Sequence, residues 1–318
     1  MKAVFLDYAS LDQNDLDITA LDAAFADLQL FASTTAAQVL ERVRDAQVII
    51  SNKVVIDAAT LQQCSKLKLI LISATGTNNV DLQQATQQGV VVCNCQGYGT
   101  ASVAQHTLGL MLALATSLLP YDRAVRQGKW NSASQFCLLD FPIVELSGKT
   151  LGIIGYGELG KAVAKVAEVF GMQILIGTLP SRPTDEANRV PFANLLPQVD
   201  FLTLHCPLTE HTQDLIGEKE FALMKSSAFL INCARGGLVN EAALATALRQ
   251  RTIAGAASDV LTTEPPKNGN VLLAEDIPNL IITPHSAWGS RDSRQRMLQQ
   301  LLENVIAFQA GKPIRQVN

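Results

Sequence analysis

Short runs of β-branched and aliphatic residues alternate with helical segments along the whole chain, the pattern of a parallel α/β architecture. The first runs are AVFLD (3–7), LQLFAS (28–33), AQVIIS (46–51), LKLILIS (67–73) and VVVCN (90–94). Segments such as AAQVLERVRD and DLQQATQQG separate them, so the chain through about residue 96 predicts a compact unit of five strands. Helices over 101–119 and 121–129 then lead to a second series: TLGIIG, QILIG, FLTLH, FLINCA, IAGAASD and LIITPH. Six strands with intervening helices make a full dinucleotide-binding fold. The stretch SRDSRQRMLQQLLENVIAFQAGK reads as one amphipathic helix closed by Gly311 and Pro313. No strand of the second unit remains for it to follow, so it is expected to return and cover the first. The predicted organisation is a discontinuous domain of residues 1–97 and 289–318, interrupted by a dinucleotide-binding domain of residues 98–288.

Composition narrows the partners more than the fold. The 318 residues suit about two domains, and 48% hydrophobic against 17% charged residues supports packed cores. A formal charge of -4 provides no general basic field for nucleic acid or an anionic membrane, which leaves a small molecule as the expected partner. MKAVFLD begins a strand at once, and Asp7 interrupts it before a signal-peptide core could form. The longest apolar run, TLGLMLALATSLLP (107–120), is too short to span a bilayer and reads as a buried helix. The six cysteines, at 64, 93, 95, 137, 206 and 233, form no CxxC pair. The expectation is reduced, mostly buried thiols in a cytoplasmic protein, with no metal site.

Candidate chemistry begins at LGIIGYGELGKAVAKV. Gly155, Gly157 and Gly160 form GxGxxG directly after an apolar strand and at the start of a helix. Gly155 suits the tight turn, Gly157 the close approach of backbone to a pyrophosphate, and Gly160 close helix–strand packing. The helix amino terminus supplies N–H groups and partial positive charge for the phosphates. The expected cofactor loop is therefore Gly155, Tyr156, Gly157, Glu158, Leu159 and Gly160. An NAD site normally places a carboxylate at the end of the next strand, to accept from the ribose hydroxyls. Here ILIGTLPSR (174–182) offers Thr178, with Ser181 and Arg182 beyond it. The repulsion against a 2′-phosphate is gone, and an arginine suits such a phosphate. The cofactor is expected to be NAD or NADP, with NADP(H) weakly favoured by Thr178 and Arg182. Asp185 and Glu186 could draw Arg182 away.

Three later strands each lead to one polar residue. Arg235 follows FLINCA, Glu264 follows IAGAASDV, and His285 ends LIITP, so all three fall at one sheet edge. In open α/β sheets ligands bind beyond the carboxyl ends of the strands. An arginine fork grips a carboxylate and polarises a neighbouring carbonyl. A histidine gives a proton to the alkoxide that forms as hydride arrives. A carboxylate beside such a histidine fixes its orientation. Singly, each has an ordinary structural use: Arg235 as a turn cap, Glu264 as a solvated loop acid, His285 as a structural histidine.

At this point the chain resembles the D-isomer-specific 2-hydroxyacid dehydrogenases over nearly its whole length. The resemblance rests on SATGTNNVD (73–81), SVAQHTLGLMLAL (102–114), GKTLGIIGYGELGKAVA (148–164), HCPLTEHT (205–212), INCARGGLVNEAAL (231–244), ASDVLTTEPP (257–266) and ITPHSAW (282–288). Within the family it looks most like glycerate dehydrogenases, also called hydroxypyruvate reductases. The resemblance implies an oxidoreductase of two Rossmann-like, doubly wound parallel-sheet α/β domains: a flavodoxin-like substrate domain and a larger dinucleotide-binding domain. It implies that Arg235 binds the substrate carboxylate and carbonyl, that His285 is the proton donor, and that Glu264 pairs with it. Ala74, Thr75 and Gly76 would help hold the carboxylate from the first domain. Cofactor contacts would extend to Cys206, Thr212, Cys233 and, near the nicotinamide amide, Asp259. A homodimer through the apolar segment 101–119 is also implied.

The leading expectation is reduction of hydroxypyruvate, and of glyoxylate, to the D-2-hydroxy acid. A corepressor-like protein that senses NAD(H) is the alternative of another class. Another D-2-hydroxyacid dehydrogenase, of D-lactate or phosphoglycerate type, is the alternative within enzymes. A formate dehydrogenase reading is disfavoured, because that group pairs its histidine with glutamine.

Overall fold

The computed structural model describes residues 1–182 and 188–318. In chain order its elements are β1 (Lys2–Phe5), α1 (Thr19–Ala23), β2 (Asp27–Leu30), α2 (Ala36–Val43), β3 (Val48–Ser51), α3 (Ala58–Gln62), β4 (Leu69–Ile72), α4 (Leu82–Gln87) and β5 (Val91–Cys93). There follow α5 (Thr100–Ala115), α6 (Leu118–Arg126), β6 (Thr150–Ile154), α7 (Glu158–Val169), β7 (Gln173–Gly177), β8 (Arg189–Val190), α8 (Phe192–Leu195) and β9 (Phe201–Leu204). The series ends with α9 (Glu218–Leu223), β10 (Phe229–Asn232), α10 (Glu241–Arg249), β11 (Gly255–Ser258), β12 (Leu280–Ile282) and α11 (Arg291–Gln309). The chain divides into two compact units, Met1–Gly99 with Trp288–Asn318, and Thr100–Ala287.

The first unit holds a parallel sheet in the order β2-β1-β3-β4-β5. Both of its faces are covered, which explains why β3 and β4 are apolar at every position but Ser51. Val4, Ile49, Ile70 and Ile72 point to one side, under Val39 and Val43 of α2 and Leu61 of α3. Ala3, Phe5, Val48, Ile50, Leu69 and Leu71 point to the other, under Leu21 of α1 and Met297, Leu298, Leu301 and Val305 of α11. The terminal helix therefore belongs to this sheet. A capping box at Thr35 starts α2, and Asp57, Asp81 and Ser290 each accept a backbone N–H at the start of α3, α4 and α11.

The second unit holds a parallel sheet in the order β12-β11-β10-β9-β6-β7-β8. One face carries Leu202, Leu204, Leu230 and Ala256 against Phe221, Leu244 and Leu248 of α9 and α10. On the other, α5 packs against α7, β10 and β11. The sheet has one strand more than the six expected from sequence: β8 is only two residues long and lacks the apolar run by which a strand is recognised.

The helix expected over 101–119 is broken. Ser117 takes a left-handed φ of 50° and donates its hydroxyl to Pro142 O at 2.6 Å, ending α5 and redirecting α6. The apolar surplus of α5 is spent inside the unit, with Val103, Leu108, Leu110, Met111 and Leu114 buried. Further on, Leu118, Leu119, Trp130, Phe136, Leu139 and Ile143 are among the exposed apolar side chains, with Phe136 88% and Leu139 77% exposed. Among the described residues no single helix is long and apolar enough to cross a membrane.

Candidate active site

In the second sheet the strand order reverses at β6, whose neighbours are β7 and β9, and the glycine loop leaves the sheet at that point. Gly155 has φ +93°, and a Cβ there would stand 2.5 Å from Cys206 N and His205 C at the end of β9. No side chain fits. A Cβ on Gly160 would stand 2.2 Å from Gly155 O, so α7 rests directly on the turn. Gly157 is the opposite case, with nothing within 4 Å of its Cβ position. It is the N-cap of the twelve-residue α7, and no side chain caps that helix. Open space over uncapped helix amides is what a pyrophosphate requires, so the residues present fit a dinucleotide. Glu158 and Gly157 are exposed and Leu159 is half-buried. The Glu158 carboxylate accepts from Thr100 Oγ1 at 2.6 Å.

Around this loop, Thr178 lies just beyond β7, buried, with its N–H donating to Val190 O at 2.9 Å. The chain then turns at Leu179–Arg182, closed by Arg182 N–H to Leu179 O at 2.9 Å, and Arg182 is exposed. Asp185 and Glu186, the competitors named for Arg182, lie outside the described residues. Arg189 of β8 stands with its guanidinium 5.8 Å from the ring centroid of Tyr156, in the glycine loop. Cys206 and Cys233 follow β9 and β10, and burial pushes their thiols up to about 11 and about 12. Both are therefore neutral at physiological pH. The Thr212 hydroxyl donates to Pro207 O (2.8 Å) and accepts from Thr209 N–H (2.7 Å), which clasps the loop after β9. His205, on the same loop, keeps Nε2 within 3.0 Å of Thr203 Oγ1. Its Nδ1 is enclosed without a partner, and burial holds the ring neutral by lowering its pKa to about 4.

Arg235, Glu264 and His285 come off β10, β11 and β12, three adjacent strands. Arg235 is exposed and donates from Nη1 to Ala234 O at 2.7 Å, while Asn232 Nδ2 holds its carbonyl at 2.8 Å. Behind it, Gly236 lets this turn touch the loop that carries Glu264: its Cβ position lies 2.0 Å from Leu261 C. Glu264 uses its two oxygens separately. Oε1 accepts from Leu261 N–H at 2.7 Å, and Oε2 lies 2.5 Å from His285 Nδ1. Both side chains are about a third exposed (32%), which leaves the far edge of the imidazole, Nε2, available for proton transfer. His285 adopts φ 53°, a left-handed conformation held by its N–H bond to Asp259 O at 2.7 Å. The Asp259 side chain, 1% exposed, accepts from Ser286 N–H and Ala287 N–H at 2.9 Å each and from Thr283 Oγ1 at 2.5 Å.

In the first unit, Ala74, Thr75 and Gly76 follow β4 at the carboxyl edge of its sheet. Ala74 is buried and its carbonyl accepts from Cys95 N–H at 3.0 Å; Thr75 O accepts from Asn94 Nδ2 at 2.7 Å. Nearby, the buried Asp7 carboxylate takes the N–H groups of Asn52 (2.9 Å) and Lys53 (2.7 Å), fixing the loop after β3.

Comparison with known proteins identifies the family. Residues 108–287 match the model described as "D-isomer specific 2-hydroxyacid dehydrogenase, NAD binding domain". The chain belongs to this family. A glycerate dehydrogenase of Methylorubrum extorquens is 47% identical over 95% of this chain and 96% of its own. A hydroxypyruvate reductase of Blautia hydrogenotrophica is 35% identical over 100% of both chains. Among solved structures, an acyclic imino acid reductase in complex with NADPH and D-Arg superposes with a TM-score of 0.86 at 27% identity, covering 100% of both chains.

For this D-2-hydroxyacid dehydrogenase, some residues near the site escape a reading by motif. Arg189 lies outside the glycine fingerprint, and a basic residue within an unrecognised two-residue strand carries no signal. The loop after β12 is held from α5 by Ser102 and His106, which fall in the stretch SVAQHTLGLMLAL without any local signal of that contact. The Asp259 carboxylate also accepts from the backbone that follows His285, a contact no motif announces.

Proposed function

We propose that this dehydrogenase reduces hydroxypyruvate, and glyoxylate, to D-glycerate and glycolate. The observation that carries the reading is the 2.5 Å contact between Glu264 Oε2 and His285 Nδ1, at the sheet edge that also holds Arg235. Bound reduced nicotinamide supplies a hydride to the substrate's C2. Arg235 grips the substrate carboxylate and polarises the C2 carbonyl, and Ala74, Thr75 and Gly76 supply backbone contacts to the carboxylate. His285 donates the Nε2 proton to the developing alkoxide oxygen. Glu264 holds the ring through Nδ1 and balances the imidazolium charge before that transfer, which leaves a neutral imidazole. The glycine loop Gly155–Gly160 holds the pyrophosphate, with further cofactor contacts at Cys206, Thr212 and Cys233 and, near the nicotinamide amide, at Asp259. The relatives named glycerate dehydrogenase and hydroxypyruvate reductase support the choice of substrate.

The acid usual for NAD is replaced by Thr178, and Arg182 lies four residues on, so NADPH is taken at least as well as NADH. The exposed apolar side chains between Leu118 and Ile143 support a homodimer, since apolar surface left in water favours association. Six free thiols, five of them buried, suit the reducing cytoplasm. One experiment tests the core of this reading. Steady-state kcat/KM is measured for hydroxypyruvate, glyoxylate, pyruvate and 3-phosphohydroxypyruvate with each cofactor, in wild type and Arg182→Ala. Turnover of none of the four defeats the enzymatic assignment. A preference for NADH of tenfold or more, unaltered by Arg182→Ala, defeats the cofactor assignment.

A further inference from the structure

We propose that Ser102 and His106, one turn apart on α5, are positioning residues that hold the His285 loop in its reactive conformation. The inference rests on the assignment of His285 as proton donor. The loop Thr283–Ala287 is anchored on one side by Asp259, whose backbone carbonyl takes His285 N–H and whose carboxylate takes Ser286 N–H, Ala287 N–H and the Thr283 hydroxyl. On the other side α5 closes the loop at two points. Ser102 Oγ donates to Ala287 O at 2.6 Å, and His106 Nε2 lies 3.0 Å from Thr283 Oγ1.

The proton inventory fixes the direction of the second contact. A threonine hydroxyl has one proton. At 2.5 Å that proton belongs to the Thr283–Asp259 bond, where the acceptor is a buried carboxylate. Thr283 Oγ1 must then accept from His106, so His106 carries its proton on Nε2. That N–H also stands 3.6 Å from Asp259 Oδ1, close enough to offset part of the carboxylate's isolation from water. The outcome is a chain from His106 to Thr283 to Asp259 to the amides of Ser286 and Ala287, with His285 in the middle of the segment it tethers.

Residues four apart on a helix share a face, and α5 is a rigid place to mount them. Val103, Thr107, Met111 and Leu114 are buried, and the helix packs on α7. Thr100, at the start of α5, donates to Glu158 in the first turn of α7. One helix thus braces both the phosphate end of the cofactor loop and the segment that presents the proton donor.

The test uses His106→Leu, His106→Gln and Ser102→Ala in the full-length enzyme, each alone and in the His285→Ala background. Steady-state kinetics and NADPH binding by fluorescence titration are read together. His106→Leu is expected to lower kcat roughly tenfold, the scale of one lost hydrogen bond at a positioned group, with NADPH affinity within about threefold. His106→Gln, which returns an N–H donor of similar reach, should recover kcat to within about threefold. Ser102→Ala should cost a few-fold, and it carries the test if His106→Leu does not fold. In the His285→Ala background neither change should lower kcat further, because positioning acts only through His285. The proposal is overturned if His106→Leu and Ser102→Ala turn over as wild type, if glutamine fails where leucine fails, or if the losses persist undiminished in the His285→Ala background. Near-normal kcat in His285→Ala alone defeats the proton-donor assignment instead, and separates that failure from this one.

Discussion

Replacing Gly236 by alanine tests how tightly the Arg235 turn and the Glu264 loop are joined. The new methyl would stand 2.0 Å from Leu261 C, 2.2 Å from Leu261 O and 2.4 Å from Thr262 N, all backbone atoms with no rotamer to change. Ordinary contact begins at 3.4 Å, so the two segments must separate by about 1.4 Å. Leu261 N–H is bonded to Glu264 Oε1, and Glu264 Oε2 is 2.5 Å from His285 Nδ1. If Glu264 follows Leu261, that second contact opens to about 3.9 Å and ceases to be a hydrogen bond. A displacement of about 1 Å among reacting groups costs on the order of a hundredfold in rate. Overpacking itself costs about 1–3 kcal/mol, within the stability of a folded domain. Gly236→Ala should therefore fold, bind NADH and NADPH within about threefold of wild type by fluorescence titration, and show kcat reduced on the order of a hundredfold. A folded Gly236→Ala enzyme with kcat within about threefold of wild type would refute the claim that these loops form one positioned unit.

His285→Ala should lower kcat by at least roughly a hundredfold with cofactor binding retained, the usual scale for losing a general acid. Arg235→Ala should show much of its loss in KM for the 2-oxo acid, read from full saturation curves. Acid stability should respond to His205. Its pKa falls from 6.5 in the unfolded chain to about 4 in the fold, so the unfolded state binds the extra proton in that window. Stability is whole above about 6.5 and declines as the pH drops toward about 4; thermal melts of His205→Asn across that range should show a shallower decline, and an unchanged slope would remove His205 from the account. Phe136→Ser combined with Leu139→Ser should shift the sedimenting species toward monomer mass, and a wild-type profile would place the interface elsewhere.

Much of the fold was legible because parallel strands covered on both faces are apolar along nearly their whole length. VIIS and LILI announce β3 and β4 for that reason. The break at Ser117 was not legible, since it depends on a hydroxyl meeting Pro142 O, 25 residues away in the chain. β8 escaped because two residues carry no period. At the site, the shared edge of Arg235, Glu264 and His285 follows from each residue's place after its strand. The use of Asp259 did not, because its donors lie 24 to 28 residues on and two of them are backbone groups, which every residue possesses.

The placement of α11 sets an order of events during synthesis. The sheet face formed by Phe5, Ile50, Leu69 and Leu71 is complete once β5 emerges, yet its cover is Met297, Leu298, Leu301 and Val305. Cys95 and its partner Met297 are 202 residues apart in the chain. At about 5–20 residues per second the ribosome needs on the order of 10–40 s to bridge that gap. For that interval the nascent chain presents half of an unfinished core while the entire second unit is translated. The first-made domain is thus the last to close, and a chaperone that shields apolar surface has its longest opportunity there.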